Sequence, residues 1–245
     1  MTLANPPADT GNCVTSGDQL LIESGASSNV PTNICGTLSG QHMYVNIDST
    51  TTQPKLSITT GSATSARNYQ IKVSYIECNN PMRAPSGCLQ YFTGTSGTMQ
   101  SYNFGGGVQL QNQRYLLCIR RKTGFCGFQL TESQTSAPDP FNLFPAINTV
   151  LTSCTMNFVR AANNHFAAST IAAIVGGAAT PITVNIPQGD DRCGGVFGAI
   201  NGETTPGALQ SSPGSPFFVE YFVADANLAG TQTGFSLDFV QTPCM

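Results

Sequence analysis

Apolar and polar residues alternate with a period of two along much of this chain. In "YQIKVSYIE", residues 69–77, Ile71, Val73 and Tyr75 alternate with Gln70, Lys72 and Ser74. In "FSLDFVQ", Phe235, Leu237 and Phe239 alternate with the polar Ser236 and Asp238. Successive side chains of a strand point to opposite faces, so this period predicts strands with one buried and one wet side. "QLLIES", "HMYVNID", "KLSITT", "CLQYFTG", "TMQSYNF", "YLLCIRR", "FCGFQLTE", "PITVNIP" and "PFFVEYFVA" are likewise short, rich in β-branched and aromatic residues, and bounded by Gly, Pro, Asn or Ser. The helix signal is thin. Residues 161–179 carry many alanines, but two glycines and several β-branched residues blunt it, and a loop or strand-like insertion suits them as well. The chain is predicted to be all-β, as a sandwich. "GGG" at 105–107 has no helix after it to cradle a phosphate and reads as a turn.

The pattern also repeats. "YQIKVSYIEC" ends on Cys78 as "TGFSLDFVQTPC" ends on Cys244, each an alternating strand closed by a cysteine. Upstream of each stands a Cys–Gly pair, Cys35–Gly36 and Cys193–Gly194, and upstream of those another cysteine, Cys13 and Cys154. The second copy also owns residues 84–153, which nothing in the first copy matches. The linker "NNPMRAP" therefore divides a partial unit, 1–80, from a complete one, 81–245, with an insertion around 137–187.

Charge narrows the function. Charged residues make up 9% of the chain against about 25% in an average soluble domain, and the net charge is −3. Such a surface offers no field for nucleic acid or anionic lipid. The one basic cluster, Arg120–Arg121–Lys122 in "CIRRKTGFC", reads as a solvated hairpin tip. The longest apolar run, Phe166 to Ala179, is too short and Gly-rich to span a bilayer, so no membrane insertion is expected. Nine cysteines without CxxC spacing point to disulfides in an oxidising compartment, hence a secreted, extracellular protein. Nine is odd, so one is free, bonded to another chain, or paired with a segment outside this sequence. "MTLANPPADTGNC" lacks the features of a signal peptide, which suggests a mature or processed chain, and no N-glycosylation sequon occurs.

These residues resemble the CUB domain family, and more narrowly the tandem CUB-like secreted proteins of arthropods. "GCLQYFTGTSGTMQSYNF" looks like the opening of a CUB domain, "YLLCIRR" like its second cysteine, and "CGFQLTE" like the strand that follows. Cys154 and Cys193–Gly194 look like the third and fourth cysteines, and "GFSLDFVQ" like the closing strand. Residues 1–80 resemble only the back half of such a domain. The resemblance implies antiparallel jelly-roll β-sandwiches of CUB type, one complete and one partial. It also implies disulfides Cys88–Cys118, Cys154–Cys193 and Cys13–Cys35. Each closes a loop of about 20–40 residues, worth a few kcal/mol on a chain-entropy basis. Cys78, Cys126 and Cys244 are left unassigned, and Cys118 and Cys126 could also face each other across "RRKTG".

Many CUB domains bind calcium, and the resemblance places Glu132 and Asp225 near ligand positions. The aspartate expected after the third cysteine is Asn157 here, and in the first unit Asp18 lies five residues after Cys13 rather than three. Ordinary surface acids are the simpler reading, and no cofactor is favoured. No nucleophile motif accompanies His42 or His165, and Asp190–Asp191 reads as a solvated loop, so no enzyme chemistry is expected. The expected function is a non-enzymatic binding module contacting extracellular protein or glycan. The rival is a structural subunit of a particle, coat or matrix; a viral-type jelly-roll coat is disfavoured by the cysteine count. Half a sandwich leaves strand faces and edges uncovered. They would be met by the second unit, by a retained partner segment supplied in trans, or by another copy in a homo-oligomer.

Overall fold

A computed structural model describes the 245 residues except 8–10, 25–29, 48–52, 135–137, 144–147, 153, 162–163, 167–168, 176–177, 185–189, 199–200, 225–231 and 245; between 162 and 189 only the backbone is described. In chain order, a single helical turn, α1 (Cys13–Ser16), precedes β1 (Gln19–Glu23) and β2 (Lys55–Thr59). The strands β3 (Cys88–Phe92), β4 (Ser96–Gln100), β5 (Gln113–Ile119) and β6 (Phe125–Glu132) follow. Next come β7 (Phe141–Asn142), β8 (Val150–Leu151), β9 (Asn157–Arg160), β10 (Asn164–Phe166), β11 (Ser169–Val175) and β12 (Ala178–Val184). The chain closes with β13 (Asp191–Gly194), β14 (Leu209–Ser211), β15 (Phe218–Val223) and β16 (Gly234–Pro243).

Two sheets form the sandwich. One runs β10-β14-β6-β16-β4, with β7 also on β16; the other runs β3-β5-β15-β9-β13-β8. Pairing is antiparallel except between β3 and β5, which are parallel. Alternation explains which side chains enter the core. Phe235, Leu237 and Phe239 of β16 are buried while Val240 is exposed. Val219, Tyr221 and Val223 of β15 face inward in the same way. Tyr102, Tyr115, Tyr221 and Phe235 form a chain of ring contacts 5.0 to 5.4 Å between centroids through the middle. On the outer face of the second sheet, charge alternates across adjacent strands. Arg160 of β9 pairs with Asp191 of β13 at 2.6 Å and with Glu220 of β15 at 3.4 Å, and Glu220 also meets Arg114 of β5 at 3.2 Å.

Several expectations are corrected. "CIRRKTGFC" is not a hairpin: β5 and β6 lie in different sheets, so the turn at 120–124 crosses the sandwich. Arg121 there donates to the Phe125 carbonyl at 2.8 Å and lies over the Phe217 ring. Asp191 is a strand residue in an ion pair rather than part of a solvated loop. "TMQSYNF" is a strand only to Gln100, after which a turn leads to a short 3-10 segment at 104–106 that includes part of the Gly run. Residues 137–187 supply β7, β8 and β9 to the sandwich, and β11 with β12 forms a two-stranded sheet. "HMYVNID" is not a strand over its described residues, and "YQIKVSYIE" is not one at all.

Pairing around β1 in the first 80 residues resembles that around β9. β9 lies between β13 and β15. Likewise β1 pairs antiparallel with β2, while on its other edge the Leu20 N–H donates to the Ile34 carbonyl at 2.8 Å. The glycine after the second cysteine is left-handed in both units, with φ 77° at Gly36 and 87° at Gly194, which an L side chain would strain. Leu3, Cys13, Leu20, Ile34, Cys35 and Leu38 join the main core.

Truncating Leu237 to Ala, at the centre of β16, is expected to cost about 3–5 kcal/mol in urea unfolding, because a buried leucine loses both its transfer energy and its packing. The outward Val240→Thr, three residues on, is expected to change stability by less than about 0.5 kcal/mol.

Candidate functional site

Four disulfides join Cys13–Cys35, Cys88–Cys118, Cys154–Cys193 and Cys126–Cys244. Cys126–Cys244 links the start of β6 to the end of β16, where those strands pair. Cys118 does not meet Cys126. Cys78 is exposed and unbonded. It lies within a stretch, residues 68–83, in which every residue is exposed. Val73 is 64% exposed and Tyr75 82%, and Tyr69, Ile71 and Ile76 are also open. Ile71 and Val73 help to line a cavity of about 670 Å³ together with Leu20, Ile22, Leu38 and Ile47.

The two parts of the chain are held together by polar groups that the periodicity does not reveal. Residues 41–44 run beside β3: the Tyr44 N–H donates to the Leu89 carbonyl at 2.7 Å, and the Tyr91 N–H donates to His42 Nε2 at 3.1 Å. The Tyr102 hydroxyl reaches out of the core to the His42 carbonyl at 3.1 Å. Asn103, buried and left-handed at φ 62°, accepts the Thr37 N–H at 2.7 Å and donates to the Val108 carbonyl at 2.9 Å. A Cβ at Gly36 would collide with the Asn103 side chain, so the Cys–Gly pair of the first unit is also shaped to this junction.

Asp18, five residues after Cys13 rather than the three expected of a calcium ligand, is fully engaged within the protein. Its buried carboxylate receives Arg67 Nε at 2.7 Å and Nη2 at 2.8 Å, and backbone N–H groups of Ala4 and Gly61 at 2.8 Å each. Hydrogen bonding from the guanidinium, opposed in part by burial, holds its pKa well below the usual carboxylate range. The bridge ties together the chain ends of the first unit.

Glu132 lies at the end of β6 beside a cavity of about 760 Å³. Its Oε1 accepts the Phe197 N–H at 2.7 Å, and burial raises its pKa despite that bond. Asn157 sits on the opposite sheet, where its Oδ1 accepts the Ala224 N–H at 3.1 Å. Asp225 lies outside the described residues. A calcium ion needs several free oxygens, preferably charged. Asn157 brings no charge and its oxygen is engaged, and among the described residues no three of His, Cys, Asp and Glu gather as a metal site. The described residues therefore do not fit the ion. His165 is in β10, and nothing is described of its side chain.

The model of the animal CUB domain matches residues 85–242, well over half of the sequence. The chain belongs to the CUB domain family. No curated protein matches it. The match covers every strand from β3 to β15, nearly all of β16, and three of the four disulfides but for Cys244, so the sandwich is this chain's CUB domain.

Two tests follow from the junction. Asp18→Asn leaves the Arg67 guanidinium without its charge partner and is expected to cost roughly 3 kcal/mol, the low end for a broken buried pair because Arg67 is partly exposed. Burial lowers the pKa of His42 below 6.5, against a smaller opposing pull from the Tyr91 carbonyl at 3.2 Å. The unfolded chain then binds the extra proton, so this contribution to stability is complete above about pH 6.5 and shrinks as pH falls below it. Thermal melts from pH 7.5 to 5 should show that slope in the native chain and a flatter one in His42→Gln.

Proposed function

We propose that this chain is a secreted, non-enzymatic interaction module that binds an extracellular polypeptide through its first 80 residues. CUB domains usually mediate contacts between proteins outside cells, and four disulfides suit an oxidising compartment. The observation that carries the reading is the row Tyr69, Ile71, Val73, Tyr75 and Ile76, exposed on a scaffold tied down at both ends. Ile47 and Leu56, which line the same cavity as Ile71, Val73 and Tyr75, are exposed as well, and clustered exposed apolar side chains favour an interaction site. Protein is favoured over glycan because the row is apolar. Residues 1–80 act as the back half of a CUB-like unit and 81–245 as a complete one; the shared pairing around β1 and β9 supports that division.

A second reading draws on the same surface: a structural subunit that self-associates. Light scattering on size-exclusion fractions, with and without reductant, separates the two. The binding module is expected as a monomer near 25.7 kDa in both conditions. Ordered larger species would instead assign the chain to an assembly, and their dissolution by reductant would place Cys78 in its contacts.

A further inference from the structure

Counting back from the closing cysteine, the repeat aligns residue by residue. Tyr69, Ile71 and Val73 stand nine, seven and five residues before Cys78; Phe235, Leu237 and Phe239 stand at the same distances before Cys244. The second set is 0 to 1% exposed, whereas Tyr69 is 58%, Ile71 40% and Val73 64% exposed. The difference lies in what surrounds them. β16 is hydrogen-bonded on one edge to β4 and on the other to β6, and Cys244 is bonded to Cys126 on β6. Among the described residues none pairs as a strand with 69–77 on either edge, and Cys78 is unbonded. The same deficit recurs in the other layer. β15 pairs with both β9 and β5, but β2 pairs with β1 alone. Every missing neighbour corresponds to a strand from the front half of the second unit, β4, β5 or β6.

We infer that residues 69–78 are an acceptor strand for the front half of another CUB unit, a polypeptide segment outside these 245 residues. That segment would supply an antiparallel strand equivalent to β6 and a cysteine, placed as Cys126 is, that bonds to Cys78. Its apolar face would enter the 670 Å³ cavity between Ile71, Val73, Leu20 and Ile22. The inference rests on the proposed binding role and names its partner. A second copy of this chain fits less well. In an antiparallel self-pair centred on Val73 the two Cys78 residues fall at opposite ends, roughly 30 Å apart at 3.3 Å per residue. Strand addition and a Cys78–Cys78 bond then exclude each other, while the second copy's Cys126 is already bonded.

The test uses the whole chain and a synthetic peptide copying residues 122–133, which carries β6 and Cys126, supplied as its mixed disulfide with glutathione. The Cys78 sulfur attacks the peptide sulfur, a new S–S bond forms, glutathione leaves as the thiolate, and the Cys78 proton passes to buffer. The exchange has no net oxidation. A control peptide carries F128P and L130P, which remove strand pairing and keep the thiol. The native peptide is expected to couple to Cys78 about tenfold faster than the control, because docking raises its effective concentration. Val73→Pro, in an exposed and unpaired stretch, should leave the melting temperature unchanged and bring the native peptide down to the control rate. Equal rates for the two peptides, or a rate unmoved by Val73→Pro, would overturn the inference while a monomeric chain left the binding role standing. Dimers of the chain alone, linked through Cys78, would overturn both and give the surface to a second copy.

Discussion

A strand has two hydrogen-bonding edges and, in a sandwich, one apolar face, and all three need neighbours. β16 shows the requirement met. It is flanked by β4 and β6, covered on its inner face by the core, and bolted by Cys244 to Cys126. Much of the second unit follows from that strand, since β6 brings β14 and β10 with it and the inward Phe235 touches Tyr221 of the facing sheet. Residues 69–77 carry the same alternation in sequence, and among the described residues no strand lies beside them. The uncovered stretch at 69–78 is the direct consequence.

Besides the apolar residues it adds to the main core, the first part of the chain is kept ordered by polar groups. Asp18 gathers four donors from Arg67, Ala4 and Gly61, so one carboxylate joins the start of the chain, the entry to β1 and the segment leaving β2. Asn103 and His42 then attach that assembly to the second unit through backbone groups of Thr37 and Tyr91. Buried charge and amide groups of this kind are costly unless fully paired, and once paired they permit a single arrangement.

The layered β architecture was legible in the chain because period two is a local property. β1, β2, β3, β6, β15 and β16 begin and end close to where the alternation places them. The same signal misled at 69–77. The sequence of that stretch is as strand-like as that of β16, but a strand is defined by its partners, and partners are not local. Topology was hidden for the same reason. "RRKTG" has the residues of a hairpin, but it connects different sheets, a fact set by the crossing of the whole sandwich. Cys126–Cys244 spans 118 residues and depends on β6 lying beside β16. Asp18 and Asn103 gave no pattern at all, because their roles depend on where Arg67 and Thr37 arrive in space.

The odd cysteine connects these points. In the second unit, a closing strand ends in a cysteine and the neighbouring strand begins with one, so the disulfide fastens a pairing that hydrogen bonds have already set. Cys78 repeats the first element of that arrangement at the end of the one alternating stretch that lacks a neighbour. An exposed thiol at the end of an open strand is positioned to fasten a strand that pairs beside it. The stretch 69–78 therefore joins in ten residues the three things the inferred strand acceptor would need: edges without a described partner strand, an exposed apolar face, and a free thiol.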